Sequence, residues 1–486
     1  MITILTRFKW QLRAIFALTC LCTFTFASAR LDFAAVTLIQ LSTDPYTNSS
    51  SQHQTEVEPD VFSYGSTLVS AFQVGRFPVR SGGSDNIGWA TSTNYGLSWT
   101  HGFLPGITIY AGGKFARVSS PSVAYDARYK VWLIGSQAFY PLLIGGGSAQ
   151  VVSRSTDGLN WDKPVIVTDL GRKLVLDKNW ITCDNSVISP YYGNCYDEFD
   201  SHRQGDLILM NTSTDGGKTW KGALTTANRG TGIGGQPLVQ PNGTVIVPIT
   251  TLLAPIDETG GPSIPNIYHN NVLVFSSTNG GASWGNTSVI QYIFARKVAG
   301  GLRANPITSA AIDGSGKIYI VWPDCRFESK CKADDLVMTT STNGLTWSSV
   351  KRIPIDGIGS GVDHFIPTLG VDTSTSGNTA HLGILYYYYP VASCFPTTCQ
   401  LDVGYVSSTD GGLTFTHSVQ LAGPMKLAWL PRSEEGLMLG DYMGVAFSAG
   451  QAHPIFIVAS PPVGGVACTS PGAICHEAAF TMSEGL

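Results

Sequence analysis

Short runs in which apolar and polar positions alternate recur along the chain, as in Lys317-Ile318-Tyr319-Ile320-Val321-Trp322. A period of two marks a half-buried strand, and no long stretch carries the period of an amphipathic helix. From about Thr55 onward the runs follow a repeated order. An apolar strand comes after a Pro or acidic start, a second ends in polar and aromatic residues, a third runs into a Gly-rich turn, and a fourth leaves it. The first unit predicts strands near Val61, over Leu68 to Gln73, over Ile87 to Thr91 and over Ser98 to Phe103, and later units begin near Ser119, Asp177, Gly232, Leu302 and Asp363.

The turn before each fourth strand is one phrase repeated six times. Its clearest copy is Ser213-Thr214-Asp215-Gly216-Gly217-Lys218-Thr219-Trp220, with variants at Ser92 to Trp99, Ser155 to Trp161, Ser277 to Trp284, Ser341 to Trp347 and Ser408 to Phe415. The Asp or Asn bonds nearby backbone N–H groups, Gly takes the positive-φ position, and the closing aromatic packs on the sheet. The closing aromatics stand about 60 residues apart, the spacing of a repeat architecture. The phrase resembles the Asp box, or BNR repeat, of the sialidase superfamily, from about Glu56 to the C-terminus. That resemblance implies a β-propeller with the boxes on its periphery, away from the substrate.

A seventh unit follows without a box: Gly440 to Phe447, Pro454 to Ser460 and Glu477 to Met482 read as three strands. The apolar stretch Leu31 to Leu41 could supply the fourth and clasp the ring, removing its exposed edges. The expectation is an all-β chain with a single seven-bladed propeller over residues 30–486. Six blades, the usual number in sialidases, is the alternative.

Composition adds a compartment. Met1 to Ala29 has the parts of a secretory signal peptide: Arg7, Lys9 and Arg13, then an apolar core over Ala14 to Ala27, then Ala27-Ser28-Ala29 as cleavage site. No later segment is apolar for long enough to span a bilayer, so the mature protein is expected to be secreted. Two cysteines, Cys20 and Cys22, leave with the leader, and the other eight fall as near neighbours. They read as four local disulfides, Cys183–Cys195, Cys325–Cys331, Cys394–Cys399 and Cys468–Cys475. Sequons stand at Asn48, Asn211, Asn242 and Asn286. The formal charge is −4, and removing Arg7, Lys9 and Arg13 makes it −7, with no basic run; nucleic acid is not an expected partner. A closed ring with local disulfides can stand as a monomer.

In a propeller the starts of first strands and the ends of second strands face the axis, so polar residues there can converge. First-strand starts offer Glu56, Glu58, Asp177, Lys178, Gln236, Arg303, Asp363, His364, Asp441 and Tyr442. Second-strand ends offer Arg76, Glu198, Asp200, His202, Arg203, Asp324, Arg326 and Tyr386 to Tyr389. The sialidase resemblance implies an acid, a Tyr nucleophile with an activating carboxylate, and arginines for the sugar's carboxylate. Arg76 and Asp85 match the stretch carrying a pocket arginine and the acid/base Asp, Tyr442 matches the nucleophile, and Glu198 is the candidate for its activating carboxylate. Arg303, Asp324, Arg326 and His364 complete the substrate-binding candidates.

One departure bears on substrate. Val57 stands where the family's first arginine should be, with Glu56 and Glu58 beside it, while Arg352-Ile353-Pro354 follows the fifth box, the wrong place for that motif. The expected activity is therefore hydrolysis of terminal glycosidic bonds in an extracellular glycan, with a polysaccharide lyase or a non-catalytic lectin-like binder as alternatives. No cofactor is required. Asp177, Asp184, Asn185, Asp197 and Asp200, tied by the Cys183 to Cys195 loop, offer oxygen ligands of the kind calcium takes, at a spacing unlike the EF-hand.

Overall fold

Strands form where the alternation predicts them. The computed structural model describes residues 37–78, 82–141, 147–169, 174–251, 267–395, 397–462, 464, 468 and 473–486; the leader over Met1 to Ala29 and the start of the Leu31 to Leu41 stretch lie outside them. After β1 (Leu38–Gln40), the first group comprises β2 (His53–Tyr64), β3 (Thr67–Arg76), β4 (Ser84–Ser92) and β5 (Thr100–Phe103). A second comprises β6 (Arg117–Asp126), β7 (Val131–Phe139), β8 (Ser148–Ser155) and β9 (Val165–Asp169), and a third β10 (Leu176–Cys183), β11 (Cys195–Ser201) and β12 (Leu207–Ser213).

The fourth group is β13 (Leu238–Val239), β14 (Val245–Thr250), β15 (Ile267–Ser277) and β16 (Ser288–Arg296), and the fifth β17 (Ser309–Ile312), β18 (Ile318–Asp324), β19 (Asp335–Ser341) and β20 (Lys351–Arg352). The sixth is β21 (Asp363–Val371), β22 (Leu382–Tyr389), β23 (Gln400–Ser408) and β24 (Val419–Lys426). A small hairpin, β25 (Arg432–Ser433) and β26 (Gly436–Leu437), precedes β27 (Gly444–Ser448), β28 (Gln451–Ala459) and β29 (Ile474–Met482). Within each group successive strands pair antiparallel, and β1 pairs with β29, Leu38 opposite Met482.

First strands pack on one another in chain order, β2 on β6, β6 on β10, then β13, β17, β21 and β27, and β27 packs on β2. This all-β arrangement of many antiparallel sheets is consistent with a β-propeller. The core lies between facing sheets: Val69, Ile87 and Trp89 meet Val123, Trp132 and Ile134, and Tyr196, Ile208 and Met210 meet Val247, Phe275 and Trp284. Burying each such side chain contributes about 1.5–3 kcal/mol.

The Asp boxes close tight turns and also bind neighbouring groups together. Asp215 Oδ1 accepts from the backbone of Lys218 and Thr219 at 3.0 and 2.9 Å, and Ser213 Oγ accepts from Gly217 N at 3.0 Å. Gly216 and Gly217 take φ of 73° and 74°. The glycine edge of each box abuts the preceding group: Gly158 meets Val69 and Thr91, Gly217 meets Leu133, Gly281 meets Tyr196 and Thr212, Gly344 meets Ile246, and Gly412 meets Met338. Gly96 of the first box abuts His453 on β28, in the last group.

All four expected disulfides are formed. Among the described residues no helix is long and apolar enough to cross a membrane. The sequons differ in access: Asn211 is fully buried, Asn242 and Asn286 are exposed, and the Asn48 amide donates to Asp85.

Candidate functional site

Four first strands share an irregularity that the alternation does not predict. In β2, β6, β10 and β21 one extra residue bulges at the same register, between Val57 and Asp60, Ser119 and Ser122, Asp177 and Trp180, and Phe365 and Thr368. The bulged residue has positive φ each time: Glu58 53°, Ser120 49°, Lys178 51° and Ile366 50°. None is glycine, and each such conformation costs on the order of 1–3 kcal/mol unless its surroundings hold it. A bulge re-aims the side chain it carries.

At two of these positions the re-aimed group is charged and buried. Lys178 Nζ lies 3.4 Å from Glu58 Oε1 and is bonded to Asp441 Oδ2. Arg303 grips the same Asp441 with two N–H groups, Nε to Oδ1 at 2.7 Å and Nη2 to Oδ2. Asp441 is thus shared between a cation from the third group and one from the segment leading into the fifth. Burial alone would raise its pKa, but Arg303 and Lys178 hold its carboxyl far below the usual range. Burial likewise opposes the Lys178 charge, yet Asp441 and Glu58 outweigh it and raise the ammonium's pKa.

Lys178 and Arg303 also line a cavity of about 170 Å³. Its walls include Glu58, Arg76, Asp177, Lys178, His202, Arg303, Glu434 and Glu435, with Gln137, Ser119 and Phe139. Arg76, at the end of β3, is buried, and its pKa is lowered to about 10, first by burial and then by the like charge of Arg303, against Glu58, Asp441 and Glu477. Among the described residues its Nε has no hydrogen-bond partner. His202 Nδ1 stands 2.9 Å from Asp206 Oδ1. Cations from three separate segments, β3, β10 and the stretch before β17, together with an imidazole and several carboxylates, therefore line one cavity.

The expected catalytic residues are not gathered there. Asp85 lies on the third strand, and its carboxyl accepts from Asn48 Nδ2 at 2.7 Å and Ser51 Oγ at 2.6 Å. It is fully buried and lines neither cavity described here; burial lifts its pKa to about 6 against those hydrogen bonds. Glu198 is buried against Gly235, with its pKa raised by burial and then by Asp197. Tyr442 lines a second cavity, of about 30 Å³, with Trp180, Gln236 and Asp441. Its hydroxyl donates to Pro121 O at 2.8 Å, and its ring meets Trp180 edge-on at 5.4 Å. Burial, then the charges of Glu58, Asp60, Asp441 and Asp177, push the phenol well above its ordinary pKa, which disfavours a phenolate nucleophile.

The remaining candidates are committed elsewhere. Asp324 takes Arg326 through Nε and Nη2, both at 2.8 Å, and accepts from Trp322 Nε1 at 3.0 Å. Asp324 is therefore the partner of Arg326, and Arg303 pairs with Asp441. His364 is buried with Nδ1 3.1 Å from Asp334 O and stacks on Tyr388; burial lowers its pKa despite nearby Asp356. Of the acidic group read for calcium, Asp184 Oδ2 accepts from Ser189 and Asn185 Oδ1 accepts from Ala127 N, so both serve turns. Among the described residues, the grouping with metal-ligand spacing is Asp126 with Cys183 and Cys195, whose sulfurs are joined as a disulfide.

Glu434 and Glu435 were not anticipated. They sit at the turn of the β25–β26 hairpin, between the sixth and last groups, where no repeated pattern marks a position.

No protein-family model and no curated protein sequence matches the chain. Among solved structures it is similar to a Hadza microbial sialidase at 14% identity, over 89% of this chain and 66% of that one, with a TM-score of 0.43. A polysaccharide lyase, PL25-Ulvanlyase, is similar at 13% identity over 91% and 97%, with a TM-score of 0.48. The Trypanosoma rangeli sialidase is similar at 11% identity over 73% and 57%, with a TM-score of 0.44. The chain spans just under two thirds of the length of the microbial sialidase.

Proposed function

We propose that the chain is a secreted carbohydrate-active enzyme on a closed seven-bladed β-propeller, taking an acidic sugar unit of an extracellular glycan into the cavity lined by Lys178 and Arg303. The observation that carries this reading is the convergence of Arg76, Lys178 and Arg303 on one cavity. Lys178 and Arg303 are held charged by Asp441 and Glu58, and the buried Arg76 guanidinium beside them adds a further cation, a set that a ligand carboxylate suits. Seven blades are supported by the order in which first strands pack and by Gly96 meeting β28. Secretion is supported by the leader and the four disulfides.

In this reading Arg76 and Arg303 anchor the sugar's carboxylate, and the carboxyl groups of Asp177 and Glu58 flank the bond as acid and base, respectively, for hydrolysis. Asp85 and Glu198 take no part in it, and Tyr442 supports Trp180 beside the Lys178–Asp441 pair. A second reading, elimination from a uronic acid, is favoured by His202. Asp206 at Nδ1 fixes the ring's tautomer and leaves Nε2 to accept the proton beside the carboxylate, while the cations neutralise that carboxylate.

The test is incubation with sialosides, glucuronate-containing polysaccharides and a neutral arabinan. Hydrolysis releases new reducing ends without ultraviolet absorbance, and elimination releases them with the absorbance of a new C4–C5 double bond. Arg76→Met is expected to lower turnover of the acidic substrate at least about tenfold. Cleavage of arabinan alone, or acidic-substrate turnover indifferent to Arg76→Met, would remove the acidic-sugar reading; binding without release would make the protein a lectin.

A further inference from the structure

Asp441 is the inner partner of Arg303, buried and gripped by two N–H groups. Arg303 has a second acidic neighbour of different character. Glu435 Oε2 lies 3.5 Å from Arg303 Nε, and the same oxygen accepts from Asn305 Nδ2 at 3.2 Å. The Glu435 side chain is 57% exposed, against 14% for Arg303. It is carried on the two-residue turn of the β25–β26 hairpin. That hairpin is fixed to the segment bearing Arg303: Arg303 N donates to Leu437 O at 2.8 Å, and Leu302 bridges Leu437. Gly436, at φ 139°, lets it lie directly on the Gly301 backbone.

We propose that Glu435 is an internal carboxylate that competes for Arg303 and sets the cavity's affinity for acidic sugars; this rests on the acidic-sugar reading above. The two carboxylates on Arg303 are unequal. Asp441 is buried and also held by Lys178, so displacing it from Arg303 would break a buried ion-pair network. Glu435 is half in water, so its pairing with Arg303 is weak and reversible. An incoming sugar carboxylate displaces Glu435 and leaves Asp441 in place. Glu435 then swings to solvent on a turn whose backbone need not move. Its charge also penalises anions that do not reach Arg303, which makes it a determinant of specificity.

Binding of glucuronic acid, N-acetylneuraminic acid and neutral glucose is measured by calorimetry with wild type, Glu435→Gln and Glu435→Ala. Glutamine keeps an acceptor for Asn305 and removes the charge; alanine removes both. Both variants are expected to bind the acidic sugars about fivefold more tightly, the size of a weak surface ion pair, with glucose unchanged. Thermal melting of each variant verifies that the fold is intact. Wild type preferring acidic sugars, with no tightening in either variant, overturns the role of Glu435 alone. Weaker binding in both would make Glu435 a ligand contact and overturn it too. Acidic sugars bound no better than glucose by any of the three proteins overturns the acidic-sugar reading, and the role of Glu435 with it.

Discussion

Lys178 is the residue on which most of the charged arrangement beside the cavity turns. It is 6% exposed, holds a backbone conformation unusual for a side chain of its length, and neutralises both Glu58 and Asp441. Replacing it with methionine keeps the volume and removes the charge. Asp441 would retain Arg303 and Glu58 would retain Gln73, so the loss falls at the low end for a broken buried pair, about 3 kcal/mol. Denaturant unfolding of Lys178→Met measures it, and a change within about 0.5 kcal/mol, the scale of a surface site, would mean the network is not under load. At this scale much of the site was legible. Glu58, Asp177 and Lys178 stand on first strands, Arg303 and Asp441 in the segments leading into them, Arg76 at a second-strand end and His202 just past one, close to the places where the repeat predicts convergence. The assignments to Asp85 and Glu198 came from likeness of a short stretch and from choosing one carboxylate among several. Neither accounts for direction: Asp85 is on a third strand and faces Asn48 and Ser51, and Glu198 faces Gly235.

The repeated turn does more at the scale of elements than its sequence states. Its Ser, Asp and Gly predict a hairpin, which forms, but the tight approach of its last glycine to the neighbouring group is a property of packing. Gly281 makes this testable. Its φ is 78°, and a Cβ there would strike Thr212 and Tyr196. Gly285, at the end of the same hairpin, has ordinary φ and only Ser276 O nearby, at 3.5 Å. Gly281→Ala is expected to destabilise by about 2–4 kcal/mol, combining backbone strain with overpacking. Gly285→Ala is expected to be near neutral. Equal effects in a denaturation experiment would show that the box is only a turn. The bulges were the least legible elements. An extra residue breaks the period of two without any distinctive residue type, as Glu58, Ser120, Lys178 and Ile366 attest. The short β25–β26 hairpin is not predicted because strands of two residues are too short to carry a period.

For the described molecule as a whole, the many carboxyl groups inside it set a direction for stability against pH. Burial is the first cause in each case. It raises Glu56, Asp197, Glu198, Asp200, Asp334 and Glu477 well above their ordinary values, Asp60 to about 7, and Asp85, Asp363 and Asp402 to about 6. In the unfolded chain the same groups titrate near 4. Between about pH 4 and 7 the folded state therefore holds more protons than the unfolded one, and stability falls as pH rises through that window. Asp441 and the box residues Asp157, Asp215 and Asp410 act oppositely. Their folded values lie below the ordinary one, so their contribution is full above about pH 4 and is lost as pH falls through the folded values. The two sets together place the maximum in weakly acidic solution, with a decline on each side. Thermal melting across this range tests the shape, and Glu198→Gln tests the cause. Glutamine resembles the protonated carboxyl, so the variant should match wild type in weak acid and melt higher near neutrality, where wild type must keep a buried proton that its unfolded chain releases. A wild-type melting temperature that climbs steadily from acid to neutral pH would mean that water reaches these carboxyls and that the interior is wetter than its packing implies.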